Sequence, residues 1–233
     1  LVGAIEIDSW ARGTFKFNHP EATVVHADMT SLTDDQIISY FGDQKTNIIL
    51  GGPPCQGFSI CNKNSGDPKD PKNSLFEEFI RTGKLLKPEI MIMENVPNLI
   101  KAKTESKEFV IDIIVSELKN LGYHVSYKIL EATDYGVPQI RKRLVVIATK
   151  KFMVDHFPPK THTTHTDVDL FNSGLEKCPT LWDAISDLPD LEAREGAEVQ
   201  AYTKSAQNAY QAALRTHSAT LHNHKAMNHS KRL

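Results

Sequence analysis

The chain has 233 residues, enough for one good core and part of a second. Hydrophobic residues make up 40% and charged residues 24%, as in ordinary globular proteins, with no apolar run long enough to span a bilayer and no signal peptide at the start. A net charge of −2 does not announce a nucleic-acid binder, so any such surface must be local or supplied by missing sequence; three cysteines (Cys55, Cys61, Cys178) cannot all pair, which favours a reducing cytoplasm.

Residues 1–7 read as a buried strand ending in Glu6-Ile7-Asp8. With no glycine-rich turn ahead of it, the chain is expected to begin inside a domain. An acidic residue closing a strand of a nucleotide-binding α/β fold bonds ribose hydroxyls. Taken alone, Glu6 and Asp8 read as helix N-terminal charges ahead of residues 10–17; taken with Cys55, Glu6 reads as the ribose ligand. Residues 22–27 form a second, β-branched strand delivering Asp28-Met29, where a plain loop aspartate is nearly as good a reading. Caps among Ser31, Thr33 and Asp34 start a helix over residues 34–41, stopped at Gly42.

Residues 48–50 predict a further buried strand running into Gly51-Gly52-Pro53-Pro54-Cys55-Gln56-Gly57-Phe58-Ser59. The glycines permit a sharp turn, and the prolines fix φ and forbid a helix before the cysteine. A thiol is thus presented at a strand end, where open α/β sheets bind ligands. By itself Cys55 reads as a small buried hydrophobe; joined to this Gly/Pro cluster it reads as a nucleophile. The long polar stretch 60–72 reads as a functional loop able to close over substrate. Asp70-Pro71-Lys72-Asn73-Ser74-Leu75 opens the next helix, whose Leu75, Phe76, Phe79, Leu85 and Leu86 face a core.

Residues 87–93 predict a central strand delivering Glu94-Asn95-Val96. A carboxylate there sits in a desolvating setting, which suits an acid carrying a proton near neutrality. A helix capped at Thr104 or Ser106 runs to Leu121 and stops at Gly122; an edge strand follows over 123–130. Gln139-Ile140-Arg141-Lys142-Arg143 precedes a strand over 144–148. If extended, this segment puts Gln139, Arg141 and Arg143 on one side; the bland alternative is a solvated basic face. Beyond Lys150 a loop-rich region carries a short helix over 180–189 and a helical stretch over 200–217. His222, His224 and His229 find no carboxylate or cysteine to complete a metal set and read as surface or nucleic-acid-proximal residues; no metal is expected.

Four strings in order, namely the acidic strand end at Glu6, the Pro54-Cys55-Gln56 loop, Glu94-Asn95-Val96 and Gln139-x-Arg141-x-Arg143, make the chain resemble DNA cytosine-5 methyltransferases. The resemblance implies an incomplete Rossmann-like, S-adenosylmethionine-dependent α/β fold: a mostly parallel sheet with helices on both faces. It implies a catalytic domain over 1–150, and over 151–233 a segment leading into target recognition. Cys55 is the implied nucleophile, with Glu94, Arg141 and Arg143 as its catalytic partners. Glu6, Ile7, Asp28, Met29, Gly52, Pro53 and Leu75 are the implied cofactor contacts; Ser59, Asn95, Val96 and Gln139 are the implied substrate contacts. The substrate implied is a cytosine flipped out of duplex DNA. The glycine-rich cofactor loop and most of the recognition region are absent, so missing segments or a second chain are expected to complete the fold, and this polypeptide alone is expected to be weakly active or inactive. A tRNA cytosine-5 methyltransferase of related type and a non-catalytic nucleic-acid-binding module are the rival expectations.

Overall fold

A computed structural model describes residues 1–42, 45–54, 75–104, 106–153, 157–164, 174–216 and 218–228. Cys55, Ser59 and the predicted closing loop lie outside the described residues. The chain divides into two compact units, residues 1–130 with 142–159, and residues 131–141 with 160–233. It has an α/β fold, mixed rather than purely parallel in its strand pairing.

In the first unit, β1 (Gly3–Ile5) pairs in parallel with β2 (Thr23–Val25), joined by α1 (Ser9–Asn18). Asp8 caps α1 by accepting from the Ala11 amide, as its alternative reading anticipated. Helix α2 (Asp34–Phe41) begins with a capping box in which Thr33 and Gln36 bond reciprocally. A separate four-stranded sheet has the order β3 (Ile48–Gly51), β4 (Ile90–Asn95), β6 (Lys142–Thr149), β5 (His124–Glu131). β3 and β4 are parallel, β4 and β6 antiparallel, and β5 is the predicted edge strand.

Strand alternation sends Met91, Met93, Leu144, Val146 and Ala148 to one face of that sheet, where they are buried. They form one core with Phe76, Phe79 and Ile80 of α3 (Leu75–Leu86) and Val110, Ile111, Ile114 and Leu118 of α4 (Val110–Asn120). Gly51 has a packing reason, since a Cβ there would fall 2.5 Å from the Phe79 ring. The opposite face is different. Ile48 and Leu50, expected to be buried, are 52% and 70% exposed. Among the described residues β3 has one hydrogen-bonded neighbour, β4, and its alternate residues turn away from α3 and α4.

Two other expectations give way to local geometry. Helix α4 starts at Val110, not at Thr104 or Ser106, and its N-cap Phe109 makes no side-chain capping bond. The hydroxyls of Thr104 and Ser106 bond each other and Glu108 inside a tight turn closed by a bridge between Lys103 and Phe109. Gly122 does end the helix, at φ +85°.

The second unit places β7 (His162–Thr163) beside β8 (Glu176–Lys177), and β9 (Gly196–Ala201) antiparallel to β10 (Thr220–Lys225). The helical stretch expected over 200–217 is therefore only partly helical. Gln200 lies opposite Leu221 in the hairpin, and α6 (Ala209–Leu214) begins after the Asn208 cap. Long-range strand pairing overrides local propensity here. Helix α5 (Leu181–Ile185) opens on a Thr180/Asp183 capping box, and Gln211 of α6, buried, donates to the Asp183 carbonyl and the Ser186 hydroxyl.

Candidate active site

Parallel pairing aligns Leu50 with Ile92 and Gly51 with Met93, so the next residues, Gly52 and Glu94, emerge together at the same end of adjacent strands. A Cβ built on Gly52 would sit 3.5 Å from Glu94 Oε2, an ordinary van der Waals contact. The loop leaving β3 therefore starts against the Glu94 carboxylate. Asn95, 4% exposed, fixes that start by donating from Nδ2 to the Pro53 carbonyl at 3.0 Å, while its Oδ1 accepts from the Val96 amide at 2.8 Å. Cys55 follows directly after Pro54.

Antiparallel β6 brings a base to the same place. Glu94 lies opposite Val145, and two residues back Arg143 donates from Nε to Glu94 Oε1 at 2.6 Å. The desolvating setting expected of Glu94 is not what surrounds it: its side chain is 48% exposed, against 26% for Arg143. The carboxylate belongs to the strand face that α3 and α4 leave uncovered. Gln139 and Arg141 fall in the second unit and are exposed. The segment is not extended at Gln139, whose amide bonds back to the Val137 carbonyl at 2.7 Å in a bend, so the alternation argued for Gln139, Arg141 and Arg143 does not run through it.

Strands β1 and β2 carry the other candidate group. Their parallel register ends at Ile5 and Val25, so Glu6-Ile7 and Asp28-Met29 leave at one edge. Glu6 Oε1 accepts from the Asp8 amide at 2.8 Å, and Ile7 is exposed. Asp28 Oδ1 accepts from the Thr30 amide at 2.9 Å and from the Thr30 hydroxyl at 2.8 Å, and these bonds hold its carboxyl below the ordinary aspartate range. Two acidic acceptors beside an exposed aliphatic side chain fit a nucleoside, whose hydroxyls and amino group donate and whose ring is apolar on its faces. Leu75 opens α3, half-buried.

Sequence reasoning missed Arg81. From α3 it donates to the carbonyls of Met29 (3.1 Å) and Leu32 (3.0 Å), to Asp34 Oδ1 (2.5 Å) and to Glu78 Oε2 (2.6 Å). Three of these partners lie 47 to 52 residues away in sequence, and nothing local distinguishes this arginine from a solvated one. Among the described residues no group of three His, Cys, Asp or Glu is placed to hold a metal, and no helix is long and apolar enough to cross a membrane. The shallow cavity lined by Trp182, Ile185, Pro189, Leu191 and His224 in the second unit holds none of the predicted site residues.

The class defined by this arrangement is an α/β protein whose adjacent strand ends bring a Gly-Pro-Pro segment, a glutamate and an arginine together. The chain belongs to the C-5 cytosine-specific DNA methylase family, which it matches over residues 1–232. It is 41% identical to the type II methyltransferase M.DdeI of Desulfomicrobium norvegicum over 99% of its own length and 53% of that protein's. It is 34% identical to the type II methyltransferase M.AquIA of Picosynechococcus over 80% of its own length and 79% of that protein's. A solved prophage-encoded protein of E. coli, assigned as a DNA modification methyltransferase, superposes with a TM-score of 0.69 at 25% identity, over 99% of this chain and 66% of that one. The chain thus spans about half the length of curated relatives such as M.DdeI.

Proposed function

We propose that this chain carries the catalytic half of an enzyme that methylates carbon 5 of cytosine in DNA, through a covalent adduct with Cys55. The observation that carries this reading is the convergence of Glu94 and Arg143 at the strand end from which the cysteine loop departs. Carbon 5 of cytosine is too electron-poor to attack a methyl donor unaided. Addition of the Cys55 thiolate to carbon 6 forms a C–S bond and pushes the ring electrons toward carbon 5 and nitrogen 3. Glu94, after taking up a proton from the solvent that reaches it, donates that proton to nitrogen 3, and Arg143, bonded to the same carboxyl group, orients it and contacts the carbonyl oxygen of the base. Carbon 5 takes the methyl group with release of a neutral thioether, loses its proton to water, and the carbon 6–sulfur bond then breaks to return the thiolate. S-adenosylmethionine, when bound, supplies an electrophilic methyl group.

Glu6 holds the ribose, Asp28 the adenine amino group, and Ile7 and Met29 the ring, while Gly52, Pro53 and Leu75 line the approach between the strand ends. Ser59, Val96 and Gln139 contact the substrate, and Arg141 orders the cysteine loop. Asn95 joins them in the substrate set by holding the Pro53 carbonyl. Because none of these groups can reach a stacked base, the cytosine is flipped out, at a cost of about a few kcal/mol that DNA contacts offset. Residues 1–150 form the catalytic part and 151–233 the lead into target recognition. Further segments or a second chain complete the sheet: β1–β2 and the four-stranded sheet share no strand pairing among the described residues, and β3 leaves Ile48 and Leu50 exposed. The reaction is to be placed in the cytoplasm, where the thiol stays reduced.

The test is methyl incorporation by the complete enzyme, with the segments or second chain that finish the sheet, from labelled S-adenosylmethionine into duplex DNA and into tRNA, with alkaline-stable label recovered as 5-methylcytosine. Label in DNA supports the reading. Label confined to tRNA overturns the substrate assignment, and no label in either overturns the catalytic one.

A further inference from the structure

We infer that Arg81 is a positioning residue that sets the turn carrying Asp28 and Met29, and so determines how tightly the protein holds the adenine end of its cofactor. This rests on the assignment of Asp28 and Met29 to the adenine. Among the described residues no strand pairing joins the β1–β2 pair to the four-stranded sheet, so no strand hydrogen bonds there fix the distance from the Asp28 turn to the Gly52–Glu94 strand ends. Arg81 spans that gap. Its helix, α3, packs in the core of the four-stranded sheet through Phe76, Phe79 and Ile80. Its guanidinium reaches the other side, taking the Met29 and Leu32 carbonyls on Nη2 and Asp34 on Nη1, while Glu78 on its own helix accepts from Nε and Nη2. The Asp28 carboxylate caps the N-terminal end of the 3-10 turn Met29–Ser31, and Arg81 holds the carbonyls of its first residue, Met29, and of its C-cap, Leu32. Moving the guanidinium moves both carbonyls, and with them the backbone that aims Asp28.

The chemistry requires arginine. Its planar fork offers five donors in fixed directions, whereas a lysine ammonium offers three about a single point and cannot span two carbonyls and two carboxylates at once. Asp28 itself makes no bond to Arg81; its Oδ1 is occupied by Thr30. The influence therefore passes through backbone position.

The experiment is calorimetric titration of the intact protein with S-adenosylhomocysteine and with S-inosylhomocysteine, which lacks the adenine amino group, using wild type, Arg81→Lys, Asp28→Ala and the double variant. Arg81→Lys is expected to weaken the adenosyl ligand about tenfold, to weaken the inosyl ligand, which keeps the ring that Met29 packs on, by no more than about threefold, and to hold kcat at saturating cofactor within about twofold. The double variant is expected to bind no more weakly than Asp28→Ala, the signature of one shared path. Asp34→Asn, which loosens the same guanidinium from an exposed carboxylate, moves the preference in the same direction by about threefold and keeps the test alive if Arg81→Lys does not fold. Equal weakening of both ligands, multiplied losses in the double variant, or unchanged binding in Arg81→Lys overturns the role of Arg81. Unchanged binding in Asp28→Ala removes the adenine assignment itself, and the Arg81 inference with it.

Discussion

Arg143 Nε lies 2.6 Å from Glu94 Oε1, and a Cβ built on Gly52 would sit 3.5 Å from Glu94 Oε2. One carboxylate thus meets a base on one side and the root of the cysteine loop on the other. Glu94→Gln keeps the shape but removes the acid, and is expected to lower methyl transfer by about 10²–10⁴-fold. Stability should change little, by under about 1 kcal/mol, because an ion pair this exposed contributes little to folding. Single-turnover methylation rates and denaturant melts check the two halves; a large loss of stability with full activity contradicts the assignment.

The neighbouring glycines should behave differently. Gly51→Ala drives a methyl group to 2.5 Å from the Phe79 ring, inside a packed core, and should cost about 1–3 kcal/mol in stability. Gly52→Ala meets Glu94 Oε2 at an ordinary 3.5 Å and should fold normally. Urea midpoints of the two variants decide this.

Tyr123 donates to the Pro88 carbonyl at 2.6 Å, and burial pushes its phenol up to about 12. A raised acid loses its contribution as pH climbs from the unfolded value, about 10, through the folded one. Stability should therefore fall between about pH 10 and 12 in wild type, and this component should vanish in Tyr123→Phe. At neutral pH Tyr123→Phe should cost about 1 kcal/mol for the lost hydrogen bond. Chemical denaturation across the alkaline range measures both.

Cys178 is buried, and burial pushes its thiol up. It should resist iodoacetamide at pH 7.5 in the folded protein and react only on unfolding. Peptide mapping after timed alkylation checks this; rapid labelling of Cys178 would contradict its placement.

What the sequence revealed divides along physical lines. Helix α2 was legible to the residue because its boundaries are set locally, by Thr33 and Gln36 at one end and the turn at Gly42 at the other. The strand-end position of Glu94 was legible from an apolar run meeting a charged residue. The start of α4 was not, since Thr104 and Ser106 look like caps until the bridge from Lys103 to Phe109 engages their hydroxyls elsewhere. Nor was the exposure of Ile48 and Leu50, because a run of apolar residues records what a strand can bury, not what covers it. Arg81 was hidden for a similar reason: its meaning lies in carbonyls from a distant turn.

The proposed joint action of Cys55 and Glu94 on one extruded cytosine is open to a chemical trap. Incubating the intact protein and S-adenosylmethionine with duplex DNA containing 5-fluorocytosine at the target base blocks the final elimination, since fluorine cannot leave as a proton does. The predicted result is a denaturation-resistant protein–DNA adduct mapping to Cys55, lost in Cys55→Ser and formed far more slowly in Glu94→Gln. An adduct that survives Cys55→Ser, or methylated product with no adduct at all, would contradict it.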